Sequence, residues 1–445
     1  MRVPIRVVAA PWVLTGRPSM SGAAGAPVGS AGAPRASLPP ALPDGAIALE
    51  GHRVVAVGPR AEVEQRFGAA ERLDAVLLPA LVNAHLHLEL SHLAGRVPGG
   101  LGLVPWIRAL VAARARGGTV EEAMIRAAAS LAAAGVAAVG DVTNTLASAG
   151  PLAREGIGGT LFHEVFGYAE GRCAEAERGA AETRARMGPP PPGLSVAPSP
   201  HAVYSTHPAA LARLLRAGPA SVHVAEDPGE RCFCAEANGP FAELVLALGV
   251  GPGALRPTAR SAVAAVAPHL GPRTLVVHAV DVDEEDLAAL RRSGATVVLC
   301  PRSNRAIGGR LPDLPRLLGA GLPLAVGTDS LASAPSLSPL AELAVLRAAF
   351  PEVAAEALAT LAWNGPAVGA PWVGRLEPGA TPGVLAAPLG GARPEDPFAW
   401  LLDVHGAAER PFTWLARARP PPPPGTPPPG AASPPAAARG PETLA

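Results

Sequence analysis

The sequence predicts an α/β protein built on a (β/α)8 barrel, preceded by a small β unit. Three observations carry this expectation. From Leu77 onward, apolar β-type runs alternate with Ala/Leu/Arg/Glu-rich helical stretches. Eight such runs can be counted, the number that one barrel needs. Residues able to hold a metal ion end several of them, where barrels carry their functional groups. A chain of 445 residues has room for one large domain and a smaller one.

The elements follow in order. Arg6 to Leu14 reads as a strand. Its apolar stretch is short and interrupted by Pro11, which favours an edge strand over a secretory signal. Ser19 to Pro40 is rich in Gly, Ala, Pro and Ser and reads as a loop or insertion. Ala46 to Gly58 has the apolar run, turn and apolar run of a hairpin. The eight barrel runs are Leu78 to His87, Val136 to Asp141, Gly159 to Val165, Leu194 to Pro198, Ser221 to Val224, Leu275 to His278, Thr296 to Cys300 and Leu324 to Asp329. Helical stretches such as Thr119 to Ala134, Pro240 to Leu248 and Asp283 to Ser293 lie between them. Periodicity fades after about Pro366, and Gly374 to Pro388 could return strands to the small unit. Arg419 to Gly440 is too rich in Pro, Ala and Gly to bury a core, and disorder is expected there.

Composition excludes several classes of function. Hydrophobic residues make up 49% and charged residues 17%, so core material is ample. Net charge is zero, and neither a basic patch for nucleic acid nor an acidic tail is present. All 37 basic residues are arginine, which removes lysine nucleophiles, Schiff bases and carbamylated lysine bridges from consideration. Cys173, Cys232, Cys234 and Cys300 are too scattered for a disulfide framework, and Cys232-Phe233-Cys234 lacks the usual zinc spacing. They read as reduced thiols of a cytoplasmic protein. No apolar run reaches membrane-spanning length.

The chemistry is concentrated in a few residues. His85 and His87 stand two apart at the end of an apolar run, so both imidazoles point to one face of a strand and can share one ion. His223, His278 and Asp329 end three further runs. A single histidine at a strand end is more often a hydrogen-bonded structural residue. Four histidines and an aspartate ending strands of one barrel make that explanation poor, and a metal site with an open position the better one. Glu226, three residues beyond His223, could move a proton for a metal-activated water. Glu230 reads instead as a surface residue. His201 could donate a hydrogen bond to substrate, with a structural role equally open. Glu89 shares strand parity with His87 and could orient a ligand or touch substrate. Trp106 is a candidate substrate contact. Arg302, in the turn Cys300-Pro301-Arg302-Ser303-Asn304, could bind a substrate anion at the mouth, with an ordinary surface arginine the alternative.

Together these segments resemble the amidohydrolase superfamily, in its deaminase and chlorohydrolase branch. The resemblance rests on Pro79 to Ser91, Pro200-His201, His223 to Glu226, Val277-His278, Cys300 to Asn304 and Gly327 to Ser330. With flanking β segments it spans Arg6 to Trp372. Ala80 departs from it, standing where glycine is usual. The resemblance implies a distorted (β/α)8 barrel at 79–366 and a small β-sandwich from both chain ends, 1–78 and 367–418, followed by a tail at 419–445. It also implies one divalent ion, zinc first and iron second, held by His85, His87, His223 and Asp329. His278 would contact the attacking water or the substrate, Glu226 would shuttle protons, Asp329 would also deprotonate water, and His201 would touch substrate. The implied reaction is hydrolytic deamination of a purine, pterin, pyrimidine or related nucleoside by a water activated on the metal. Chloride release or cyclic amide hydrolysis would use the same apparatus. A catalytically silent binding relative is the remaining class, and the full ligand set argues against it. The run Glu89 to His92 resembles aminodeoxyfutalosine deaminases, whose substrate carboxylate could pair with Arg302. The partner implied is a small nitrogen heterocycle, with neither nucleic acid nor membrane; a homodimer is compatible with it.

Overall fold

The computed structural model describes residues 3–16, 38–118 and 120–421. Most of the expected Ser19 to Pro40 loop and all but the start of the proline-rich tail lie outside the described residues.

Seven strands from both chain ends make one mixed sheet: β1 (Ile5–Leu14), β2 (Ala41–Glu50), β3 (Arg53–Pro59), β4 (Glu71–Arg72), β5 (Ala75–Pro79), β14 (Val384–Pro388) and β15 (Thr413–Ala416). Their order is β15-β14-β5-β1-β2-β3, with β4 also paired to β1. The expected hairpin is β2–β3. Its turn needs Gly51, whose φ is +61°, a conformation that costs glycine little. Successive residues of β1 face opposite sides. Val8 and Ala10 enter one apolar cluster with Ile47, Leu77 and Val384, while Val7 and Ala9 enter another with Val63. Val63 belongs to the helix Arg60–Phe67. Where a two-sheet sandwich was expected, the described residues thus give one sheet with this helix on its second face.

Eight further strands make two parallel sheets. β6 (Leu81–Leu86), β7 (Val136–Thr143), β8 (Gly158–Val165) and β9 (Leu194–Pro200) form one in that order. β10 (Ala220–Val224), β11 (Thr274–His278), β12 (Thr296–Leu299) and β13 (Leu324–Val326) form the other. Every residue of β6, β7, β10, β11, β12 and β13 is buried. Burial on both faces explains why these strands read as continuous Val/Ala/Leu runs instead of alternating ones. Single bridges join the sheets at both seams, Leu86 to Asp329 and Ala202 to His223.

One expectation is corrected here. The run Leu78 to His87 is two strands in different sheets. β5 pairs with β14 and β1, whereas β6 pairs with β7. The change falls at Ala80: its N–H bonds Gly383 O at 3.1 Å, and the next N–H, of Leu81, bonds Gly135 O at 2.9 Å.

Candidate metal centre

The C-terminal ends of β6, β10, β11 and β13 bring the sequence-selected histidines together. Ring centroids of His85 and His87 lie 4.9 Å apart, His85 and His223 4.9 Å, and His223 and His278 5.5 Å. His87 Nε2 is 3.2 Å from His223 Nε2. Asp329 Oδ1 is 3.6 Å from His87 Nε2 and 4.0 Å from His85 Nε2. Glu226 Oε2 is 3.4 Å from His278 Nε2. Two of these positions carry backbone strain: Asp329 has φ +56° and His278 φ +79°, left-handed values that non-glycine residues hold at a cost of about 1–3 kcal/mol each.

The donor set fits a divalent cation. His85 is fully buried, and neither of its ring nitrogens has a hydrogen-bond partner. Such a group is costly unless something else satisfies it. His223 Nδ1 lies 3.0 Å from His201 O, so it carries the proton and leaves the Nε2 lone pair facing His87. Burial, reinforced by neighbouring imidazoles, holds His85 and His278 well below the ordinary histidine range and lowers His223 to about 3. His87 falls to about 4, again chiefly through burial. Neutral imidazoles are what a metal requires. Burial raises the Asp329 carboxyl, while a hydrogen bond from Ser303 works against that rise. Ser303 and Ser333 both bond Asp329 Oδ2, at 2.5 and 3.0 Å, which leaves Oδ1 toward the histidines.

His87, His223, Glu226, His278 and Asp329 lie in the lining of a cavity of about 580 Å³ that also includes Glu89, Trp106 and His201. One wall is apolar: Leu103, Trp106 and Leu110 from the helix Leu103–Ala115, with Leu244 and Leu248. His201 packs 4.8 Å from the His223 ring, centroid to centroid. Glu89 has its carboxylate committed, accepting from the backbone N–H of Asn144 (2.9 Å) and Thr145 (3.1 Å) and from the hydroxyls of Thr143 and Thr145. Burial alone would raise its pKa, but these bonds together outweigh it and leave the carboxyl below the ordinary value.

Two sequence readings fail. Arg302 does not reach this cavity. It is 7% exposed and its guanidinium bonds Glu342 Oε1 at 2.7 Å and Ser336 O at 2.8 Å, because a buried cation takes the nearest buried anion. Arginines on the cavity lining are instead Arg108 and Arg114, and the charge of Arg114 helps to lower the pKa of His87. Glu230 is not a surface residue. It is 1% exposed, and its carboxylate accepts the backbone N–H groups of Ala225 (3.0 Å), Glu226 (2.7 Å) and Asp227 (3.3 Å). It therefore braces the loop that aims Glu226. Glu164, which the sequence offers as a possible pocket liner, does line the cavity; sequence reading passed over Asn144 and Tyr204, which line it too. The only available signal for Asn144 and Tyr204 was position beyond strands β7 and β9.

Barrel-like parallel strands with a histidine and carboxylate cluster at one end define a metal-hydrolase type of architecture. The chain belongs to the amidohydrolase family, whose model matches residues 76–382. It is 32% identical over 349 residues to the aminodeoxyfutalosine deaminase of Deinococcus radiodurans, covering 72% of this chain and 80% of the relative. It is 28% identical over 320 residues to a 5-methylthioadenosine/S-adenosylhomocysteine deaminase of Nitratidesulfovibrio vulgaris, covering 68% of this chain and 67% of that one. The fold is similar to that of Helicobacter pylori aminofutalosine deaminase in complex with methylthio-coformycin, with TM-score 0.74, 20% identity and coverage of 92% and 97%. The protein is thus a hydrolase of carbon–nitrogen bonds.

Proposed function

We propose that this protein deaminates an amino-substituted nitrogen heterocycle carried on a nucleoside, with water as co-substrate and ammonia as product. The observation that carries the reading is the clustering of His85, His87, His223 and Asp329 beside His278 and Glu226, with all of these but His85 on the lining of one cavity. The deaminase relatives favour adenosine-type substrates, among them aminodeoxyfutalosine and 5-methylthioadenosine. The cavity is in the size range of sites that enclose whole small molecules, so it has room for more than a bare base. The two parallel sheets are proposed as the arcs of one closed barrel, a reading supported by the bridges at both seams.

His85, His87, His223 and Asp329 would hold the ion, with zinc favoured by a nitrogen and oxygen donor set. Such an ion lowers the pKa of a coordinated water to about 7 and so supplies a nucleophile at neutral pH. The remaining steps fall to side chains. Burial and the charge of Asp329 raise the Glu226 carboxyl well above the usual range, so it enters the reaction carrying a proton. Glu226 gives that proton to the ring nitrogen as water oxygen bonds to the carbon bearing the amino group. Asp329 takes a proton from the water. Asp329 would then pass that proton to the amino group, the C–N bond breaks as NH3 leaves, and the proton of the added hydroxyl returns to Glu226 as the keto form appears. The balance is heteroaryl-NH2 plus H2O to heteroaryl-OH, as its keto form, plus NH3. His278 and His201 would orient the reacting atoms, and Trp106 would pack on the substrate.

Zinc-loaded protein should release ammonia from at least one of aminodeoxyfutalosine, 5-methylthioadenosine, S-adenosylhomocysteine and adenosine, with the ultraviolet shift from adenine to hypoxanthine. Protein holding one metal equivalent that leaves all four intact would refute the reading.

A further inference from the structure

The helix Pro301–Gly308 sends three consecutive side chains to three destinations. Ser303 Oγ donates to Asp329 Oδ2 at 2.5 Å. Asn304 Nδ2 lies 2.9 Å from His278 Nδ1. Arg302 turns away from both, into a closed set of partners. Its Nε donates to Glu342 Oε1 at 2.7 Å and its own backbone N–H to Glu342 Oε2 at 2.8 Å. Its two terminal nitrogens add Ser336 Oγ at 3.0 Å, Ser336 O at 2.8 Å and Glu409 Oε1 at 3.1 Å. Glu342, on the helix Pro339–Ala349, has no exposed surface.

A buried ion pair is weak evidence for stability, since desolvating both charges offsets most of their attraction. Its geometric effect is clearer. Consecutive helical residues project about 100° apart, so fixing the direction of Arg302 fixes the rotation of the whole first turn. Glu342 grips this turn twice, by guanidinium and by backbone, and a two-point grip resists rotation where one contact would act as a pivot. We propose that Arg302 and Glu342 are a positioning pair for the metal centre, setting this helix so that Ser303 holds Asp329 and Asn304 holds His278. With Oδ2 held by serines, Asp329 keeps Oδ1 toward His87 and His85. With Nδ1 engaged by Asn304, the His278 ring keeps Nε2 toward Glu226. The kinetic consequence rests on the deaminase reading; the effect on metal binding does not.

The test uses the full chain with Arg302→Met, Arg302→Lys, Ser303→Ala and Asn304→Ala. Cobalt(II) affinity is read by competition with a chromophoric chelator, and kcat and KM by ammonia release. Thermal denaturation reports the folded fraction at the assay temperature. Arg302→Met should weaken cobalt binding and lower kcat each by about 10- to 100-fold, with KM little changed. Arg302→Lys should recover only part of either, because an ammonium lacks the planar fork. Ser303→Ala should reproduce the cobalt loss, and Asn304→Ala the kcat loss with smaller effect on cobalt. Folded Arg302→Met with wild-type cobalt affinity and kcat would overturn the proposal. If Arg302→Met does not fold, wild-type values in both Ser303→Ala and Asn304→Ala overturn it equally. A wild-type protein that binds cobalt but releases no ammonia sinks the deaminase reading alone, and the cobalt measurements still decide the positioning role.

Discussion

Two buried side chains illustrate how one physical effect serves different ends. Glu226 is pushed toward its protonated form by burial and by Asp329, and its loop is held by the Glu230 carboxylate through three backbone N–H bonds. Replacing Glu226 by Gln keeps shape and neutrality but removes the transferable proton. The expected result is a fall in kcat of about 100- to 10,000-fold, with metal content and melting temperature near wild type. Ammonia release and elemental analysis on the same sample check this, and turnover within a few-fold of wild type would contradict the assigned role. His405 is the second case, outside the lining of the cavity that holds the proposed chemistry. It is 1% exposed, neither ring nitrogen has a partner, and its ring packs 4.4 Å from Phe412, centroid to centroid. Burial lowers its pKa to about 4. Above pH 6.5 it is neutral in both folded and unfolded chains. As pH falls from about 6.5 to about 4, the unfolded chain takes up a proton that the folded one refuses, so stability is lost at about 1.4 kcal/mol per pH unit. His405→Phe removes this slope. Relative to wild type, the variant should therefore gain about 2 kcal/mol at pH 5 over its standing at pH 7.5. Urea denaturation at the two pH values measures it, and an unchanged difference would show that His405 is not held neutral.

At the level of elements, the decisive contact is between β6 and the segment after β13. Thr328 and Asp329 both donate backbone N–H to His85 O, at 2.9 and 3.1 Å, and Asn83 and Thr328 exchange two further bonds. Gly327 permits this approach: a Cβ there would lie 2.7 Å from both His85 Cβ and His85 O. Gly327→Ala must push apart two strands that carry proposed ligands. It should destabilise by about 1–3 kcal/mol and weaken cobalt binding, whereas Gly319→Ala, with open space around it, should do neither. Equal cobalt affinity in the two variants would show that the approach is not critical. The same elements show what sequence could reveal. Seven of the eight barrel runs were legible, five of them (β7, β10, β11, β12 and β13) because strands buried on both faces carry nearly continuous apolar runs. Their terminal polar residues then stood out, and His85, His87, His223, His278 and Asp329 could be picked without coordinates. The split at Ala80 was invisible, because β5 and β6 are equally apolar and only the partner strand distinguishes them. Arg302 and Glu230 were misplaced for a related reason. Sequence marks charged residues as exposed, and only the fold brings Glu342 to Arg302 or turns three backbone N–H groups toward Glu230.

Across the whole molecule, the proposed ligands come from both parallel sheets. His85 lies in β6 of the first sheet and His87 just after it; His223 lies in β10 and Asp329 follows β13 of the second. Among the described residues the sheets are otherwise joined at these seams by single bridges and a few bonds: on one side His87 N–H to Asp329 O at 3.2 Å, with the Thr328 and Asp329 bonds to His85 O and the Asn83–Thr328 pair, and on the other His223 N–H to His201 O at 2.9 Å. An ion bound by all four residues would add a cross-link over the seam, and anything that binds only the folded state stabilises it by mass action. At a free metal concentration 100 times Kd this amounts to about 2.7 kcal/mol. Removing metal with a chelator should therefore lower the melting temperature, and restoring zinc should recover it. The loss should be local as well as global. In metal-free protein, hydrogen exchange should quicken first at the backbone N–H groups of His87, His223, Thr328 and Asp329, while mid-strand amides of β7 and β11 stay protected, since their ladders lie inside one sheet. Proton release on zinc binding should be small near pH 7, because burial already holds the histidines neutral. Equal melting temperatures with and without metal, together with uniform exchange, would mean that these four side chains do not share an ion and that the seam is held by the protein alone.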